Sequence, residues 1–211
     1  MRKFLYGLAL AVVIVAVGLL YRYVVERPPE QVACPLDAKV CPDGTAVGRT
    51  GLSCTFPVCP PPNTSLSDIG VAFAIPAGFS PGEATDPATV AAYDNFASST
   101  SASIVIRRYS VNASSTPLDV IRQTAIGGAS GEPLPSTAFS SEVIGNYRFT
   151  VAAIGRFEGV IDTAYYFARN KDVLRFDAID RGADWTNPSL GVSKLPAHAS
   201  LRALLSTLQA R

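Results

Sequence analysis

From Phe4 to Tyr21 the chain carries no charged residue, and four cysteines, Cys34, Cys41, Cys54 and Cys59, come soon after. An apolar helix of that length can cross a bilayer, and closely spaced cysteines suit a compartment in which thiols are oxidised. Together they predict a single-pass membrane protein whose C-terminal portion is extracytoplasmic. With YRYVV added to FLYGLALAVVIVAVGLL (Phe4–Leu20), the segment reaches about 30 Å at ~1.5 Å per residue. Arg2, Lys3 and the terminal amine are positive, whereas Arg22 and Arg27 are offset by Glu26 and Glu30, so the charge bias keeps the N-terminus in the cytoplasm. Tyr21 and Tyr23 fall where an interfacial aromatic belt sits. A cleavable signal peptide is the competing reading. Against it, no small-x-small pair closely follows the apolar run, and residues 1–25 are expected to stay as stub and anchor. Lipid on Cys34 is not expected, because Gln31 occupies the position where a lipobox needs an aliphatic residue. Pro28 and Pro29 predict a stiff stalk over 26–33, since proline fixes φ and cannot continue the helix.

Residues 34–59, CPLDAKVCPDGTAVGRTGLSCTFPVC, are rich in glycine and proline and too short to bury a core, so they need covalent staples. Four cysteines allow three pairings, and the sequence leaves all three open. A zinc site has the right number of thiols but lacks paired C-x-x-C knuckles, so disulfides are the expectation and no metal or cofactor is assigned. Asp43-Gly44 reads as a tight turn. The stretch CPDGTAVGRTG, with Cys54, Phe56 and Cys59, resembles a short cysteine module of exported bacterial proteins without assigned chemistry. Its C-x-D-G turn is loosely similar to Kazal-type protease inhibitors, which would imply inhibition through this module, but those have six cysteines and a helix that this segment has no room for.

Pro60, Pro61 and Pro62 open a spacer over 60–65, the clearest domain boundary. Beyond it, alternation predicts strands at Gly70–Pro76, Val90–Asn95, Ala102–Val111, Ser140–Ile144, Tyr147–Ile154, Gly159–Arg169 and Asp172–Asp180. In VLRFDAID, Leu174, Phe176 and Ala178 point one way and Arg175 and Asp177 the other, the pattern of a sheet with one wet face. Thr116 caps a helix that starts at Pro117, with Leu118, Ile121 and Ala125 on its inner face and Gly127 at its end. Leu201, Leu204, Leu205 and Leu208 recur at helical spacing in a last helix over 197–209. The prediction is an α+β head over 66–211, an antiparallel sheet with helices packed on one face. AFAIPAGF, PLDVIRQ, TAYYFARN and the closing leucine helix, in this order, resemble the PsbP family of exported and lumenal proteins. That resemblance implies a docking or accessory domain without catalysis.

Chemistry-bearing residues are sparse. His198 is the sole histidine, so neither a multi-histidine metal site nor an extended relay is available, and a surface or capping role is expected. IGGASGEP (Ile126–Pro133) follows a helix instead of preceding one and lacks a Lys-Ser or Lys-Thr pair, so it reads as a loop and not a phosphate cradle. Arg107, Arg108 and Tyr109 form the strongest basic and aromatic cluster and, with Trp185, are the candidate partner surface; the plainer reading is a solvated strand end and a loop anchor. Asp94, Glu158, Asp162, Asp177 and Asp180 are carboxylates that a hydrolase could pair. With 18 basic and 17 acidic side chains, the chain lacks the field that nucleic-acid binding needs. The expected function is that of a membrane-anchored interaction module, its partners the lipid bilayer and an envelope protein or surface polymer. A carboxylate-based hydrolase and a protease inhibitor are the alternatives.

Overall fold

The computed structural model describes residues 2–25, 33–41, 46–59, 61–84, 86–96, 101–127 and 131–210. The expected stalk prolines Pro28 and Pro29, the Asp43-Gly44 turn and Pro60 lie outside the described residues. Two compact units are present, residues 1–37 with 48–57 and residues 38–47 with 58–211.

In the first unit, α1 (Arg2–Val25) takes in the whole apolar run. Its described side chains, at 6–7 and 12–23, are all exposed, and apolar residues run around the full circumference. Among the described residues no helix is long and apolar enough to cross a membrane. Residues 12–23 alone reach only about 18 Å, against a hydrocarbon core of ~30 Å. A disulfide joins Cys34 to Cys54. Arg49 braces the same unit: its Nε and Nη2 donate to Asp37 at 2.7 and 2.9 Å, its Nη1 donates to the Cys54 carbonyl at 3.0 Å, and its guanidinium lies 4.2 Å from the Phe56 ring centroid.

In the second unit, β1 (Ala38–Val40) and β2 (Ala46–Gly48) form a two-stranded sheet, and a disulfide joins Cys41 to Cys59. The head begins with β3 (Thr64–Leu66) and β4 (Val71–Phe73), then β5 (Ser80–Pro81), β6 (Thr89–Asn95) and β7 (Ala102–Ser110). Helix α2 (Pro117–Thr124) leads to the short pair β8 (Ile126–Gly127) and β9 (Glu132–Pro133). The strands β10 (Phe139–Ile144), β11 (Tyr147–Phe157), β12 (Val160–Ala168) and β13 (Asp172–Arg181) come next, then α3 (Pro196–Ser206) and β14 (Gln209–Ala210). Seven strands pair antiparallel in the order β10-β11-β12-β13-β7-β6-β5, and β14-β4-β3 make a smaller sheet. Glu158 and Gly159 turn β11 into β12 with φ of 49° and 76°, the pair of positive values that a two-residue hairpin needs.

Successive strand residues face opposite ways, and both ways lead inward here. Ile104, Phe149, Leu174 and Phe176 meet Leu201, Leu204 and Leu205 of α3 on one face, with Phe149 ringed by Tyr165, Phe167 and Phe176 at 6.5, 5.9 and 6.4 Å. Ala152, Ala164, Tyr166 and Val173, one residue out of step, meet Val120 and Ile121 of α2 on the other. The helices therefore cover opposite faces of the sheet, which corrects the one-face expectation. The physical reason lies in β12 and β13, whose apolar residues are consecutive (Tyr165, Tyr166, Phe167; Val173, Leu174), the mark of strands buried on both sides.

Helix α2 starts as expected, with a capping box in which Thr116 Oγ1 accepts from Asp119 N at 3.2 Å and Asp119 Oδ2 accepts from Thr116 N at 2.9 Å. Its inner face differs: Val120, Ile121 and Ala125 are buried, while Leu118 is 50% exposed. Nor does Gly127 end the helix; it lies in β8, where a Cβ would come within 2.8 Å of the Ile154 carbonyl oxygen and 2.5 Å of Leu134 Cδ2. Only glycine lets those segments approach so closely.

Leu204→Ala, which opens a cavity against the sheet, is expected to lower unfolding free energy by about 2–5 kcal/mol, and Leu118→Ala by no more than ~0.5 kcal/mol, measured by urea titration. Double serine variants at 34/54 or 41/59 are expected to leave no titratable thiol under denaturing, non-reducing conditions, whereas the mismatched 34/41 variant exposes two. Free thiol in either matched variant contradicts the pairing.

Candidate functional site

The face under α2 carries the densest charge in the head. Arg107 on β7 stands in register beside Arg175 on β13, and two cations so placed need anions between them. Asp177, with no exposed surface, accepts from Arg175 Nε at 2.6 Å and from Arg107 Nη1. Asp86 takes Arg107 Nε at 2.9 Å and is itself held by the Ala88 and Thr89 amides at 2.9 and 3.0 Å. Burial opposes ionisation of Asp86, but the bonds from Arg107 and Thr89 outweigh it and its carboxyl titrates below the usual range.

Arg175 also donates from Nη1 to the Thr124 carbonyl at the end of α2, at 2.6 Å, and its guanidinium carbon lies 5.6 Å from the Tyr166 ring centroid. Asp162 on β12 stands apart: its Oδ2 is 4.0 Å from Arg175 Nη2, and its buried Oδ1 has no hydrogen-bond partner. Burial pushes the Asp162 carboxyl up to about 8, the Asp177 charge adds to the shift, and Arg175, Arg107 and Arg181 oppose it. Burial raises the Tyr166 phenol to about 12, with the Arg175 charge and Thr124 working against the shift. Arg175 and Asp177 are thus interior groups, not the wet face that their alternation predicts. Arg107 reaches Asp177 across the strand register, and sequence alone does not give that register.

On the α3 face, His198 Nδ1 lies 2.6 Å from Asp180 Oδ2 and His198 Nε2 lies 2.7 Å from Thr163 Oγ1. All three residues are buried. Asp180 also accepts from the Ala197 and His198 amides at 2.8 and 3.3 Å, supplying the cap that Leu195 at the helix start cannot. His198 is therefore an interior residue with a capping carboxylate, and the surface alternative falls. Carboxylate, imidazole and hydroxyl are in the order of a nucleophile relay, but here they tie α3 to β12 and β13 inside the core.

The expected partner-surface residues do not share one face. Arg107 and Tyr109 turn under α2. Arg108 turns the other way, its side chain 43% exposed and its Nε 2.8 Å from Asp172 Oδ2. Trp185 is half-buried in the loop after β13, at the far end of that strand from Asp172, and its carbonyl accepts from Arg156 Nε at 2.6 Å. Arg108 instead joins Arg169, Lys171 and Asn170 around a groove of about 340 Å³ that Asp68 and Asp172 also line. Arg169 grips Asp172 with two 2.6 Å bonds and donates to the Ile69 carbonyl at 2.7 Å. Burial works against ionisation of Asp172, the two guanidiniums outweigh it, and its carboxyl titrates low.

Of the remaining carboxylates, Asp94 accepts from Ser103 Oγ at 2.6 Å, and Glu158 sits in the β11–β12 turn. Among the described residues no group of three or more His, Cys, Asp or Glu could hold a metal ion. In the cysteine module, Thr50 N donates to Thr55 O at 2.9 Å and Cys54 N to Gly51 O at 3.2 Å, so Leu52 projects from a tight reversal.

His198→Leu, close in volume, strands the Thr163 hydroxyl and one oxygen of Asp180 in the core and is expected to cost about 2–4 kcal/mol, whereas Thr163→Ser keeps the bond and costs about 1 kcal/mol. Chemical denaturation of the two variants checks the contrast.

No protein-family profile and no curated protein matches the chain. A solved structure from Bacteroides thetaiotaomicron is similar to it over 67% of this chain at 11% identity, with a TM-score of 0.43. This chain spans 45% of that one, and a likeness so distant says nothing of activity.

Proposed function

We propose that this chain is a membrane-anchored extracytoplasmic interaction module whose α+β head, PsbP-like in its order of elements, docks an envelope protein or a surface polymer. The observation that carries the reading is α1, in which every described side chain is exposed and none forms a polar face. A helix apolar all round needs lipid or protein against it. The basic flank at Arg2 and Lys3 favours a cytoplasmic N-terminus, and the two disulfides favour an oxidising space for the cysteine module and the head. The polar groups that could do chemistry are largely committed to one another in the interior, which suits recognition better than turnover. The groove at Arg108, Arg169 and Lys171 is the docking surface on this reading.

A hydrolase is the second reading, favoured by the adjacency of Asp162 and Asp177 with their unequal partners. The protein is expected to stay with membranes in alkaline carbonate and to be released when residues 2–25 are deleted. A photocrosslinker at position 171 is expected to give one dominant adduct in cells, lost on Arg108→Glu. Release of the full chain by carbonate, or turnover of a glycan or ester that Asp162→Asn abolishes, overturns the proposal.

A further inference from the structure

The groove at the start of β13 is built around a buried anion. Asp172, 3% exposed, accepts from Arg169 Nε and Nη2 at 2.6 Å each and from Arg108 Nε at 2.8 Å. Its carboxyl titrates low, so at neutral pH it stays charged and keeps both guanidiniums. Arg169 is fully committed, because its Nη1 donates to the Ile69 carbonyl at 2.7 Å. The backbone is equally fixed, since Arg169 N donates to Asp172 O and Val111 N to Lys171 O, both at 2.9 Å.

Two cations keep donors to spare. Past Nε, the Arg108 guanidinium has one acceptor among the described residues, the Asp68 carbonyl at 3.4 Å from Nη1, and its side chain is 43% exposed. Lys171, exposed in the turn before β13, pairs with no carboxylate among the described residues. Arg108, Arg169 and Lys171 share the lining with Asp68 and Asp172, so one positive charge is left over. A single carboxylate matches it, whereas a phosphate group brings nearly two negative charges up to Asp68. A guanidinium held by Nε and open at Nη favours a carboxylate, and holding it in advance lowers the entropy cost of binding.

The groove adjoins a second cavity of about 310 Å³, which shares Asp68 and Ile69 with it and adds Leu66 and Val90. No aromatic ring lines either cavity, so the C–H face of a sugar has nothing to stack on, while Leu66 and Val90 suit an aliphatic side chain. On the docking reading of this groove, on which the inference rests, we propose that it is a carboxylate receptor for a partner protein. Arg108 Nη and Lys171 Nζ grip one glutamate or aspartate side chain, and an aliphatic neighbour of that acid packs on Leu66 and Val90. Both cations are exposed, so the grip weakens as salt rises.

NMR titration of the full chain in detergent micelles at pH 7 tests this. The probe is a blocked tripeptide of leucine, glutamate and valine, set against its glutamine counterpart, phenyl phosphate and an oligogalacturonate. The glutamate peptide is expected to shift the amides of 170–172 saturably and to bind about tenfold more tightly than the glutamine peptide. Lys171→Gln, a change at an exposed side chain that leaves the fold intact, is expected to weaken it about fivefold, and Arg108→Gln about tenfold. Equal binding of the two peptides, unchanged binding in Lys171→Gln, or tighter binding of the phosphate or the oligogalacturonate overturns the receptor. A photocrosslinker at position 170 in cells separates this claim from docking itself. An adduct without glutamate preference in the titration overturns the receptor and leaves docking in place, whereas glutamate preference without an adduct supports the carboxylate site and removes the docking reading.

Discussion

Asp177 lies in the middle of the sheet with no exposed surface, between one guanidinium from its own strand and one from the neighbouring strand. A carboxylate so placed is tolerable only while both cations stay, because an unpaired charge in the interior costs several kcal/mol. Arg107 and Arg175 are fixed in their turn by Asp86 and by the end of α2, so the clamp links a loop, two strands and a helix. Such a network adds little net energy over a well-packed apolar core of the same volume. What it adds is selectivity among arrangements, since sliding β13 by one residue would put Phe176 among the charges and Asp177 against α3.

The two faces of the sheet are built on different principles. Under α3 the core is almost wholly apolar, leucines against aromatic rings, with one polar seam where His198 meets Asp180 and Thr163. Under α2 the apolar patch is smaller and shades into the ionic cluster. Side chains on the first face lose contacts when trimmed; those on the second lose partners when neutralised. The faces should therefore respond to different stresses, the first to cavities and the second to charge.

Much of this head is legible in its sequence because local periodicity carries it. Alternation located the long strands, the leucine stripe located α3, and Thr116, Pro117 and Asp119 marked the start of α2. Burial of the charges was not legible. Arg175 and Asp177 occupy alternate positions, as solvated residues do, and what encloses them is Arg107 across the strand and α2 above, contacts set by register and topology. His198 finds its partners 18 and 35 residues away, a separation over which no single-sequence pattern holds. The consecutive apolar residues of β12 did contain a sign that both faces are covered. The short strands β3, β5 and β14 leave too brief a period to read.

The disulfides interleave, 34 with 54 and 41 with 59, and this order decides what a nick in the cysteine segment would do. Cleavage of any one peptide bond between residues 34 and 59 leaves the two pieces covalently joined, because at least one bridge spans every such cut. Pairing neighbours in sequence would have left the stretch between 41 and 54 as a point where one cut parts the head from everything before it. A single cut that parts the head from the N-terminal segment must therefore fall on the flanks of the module, N-terminal to Cys34 or C-terminal to Cys59.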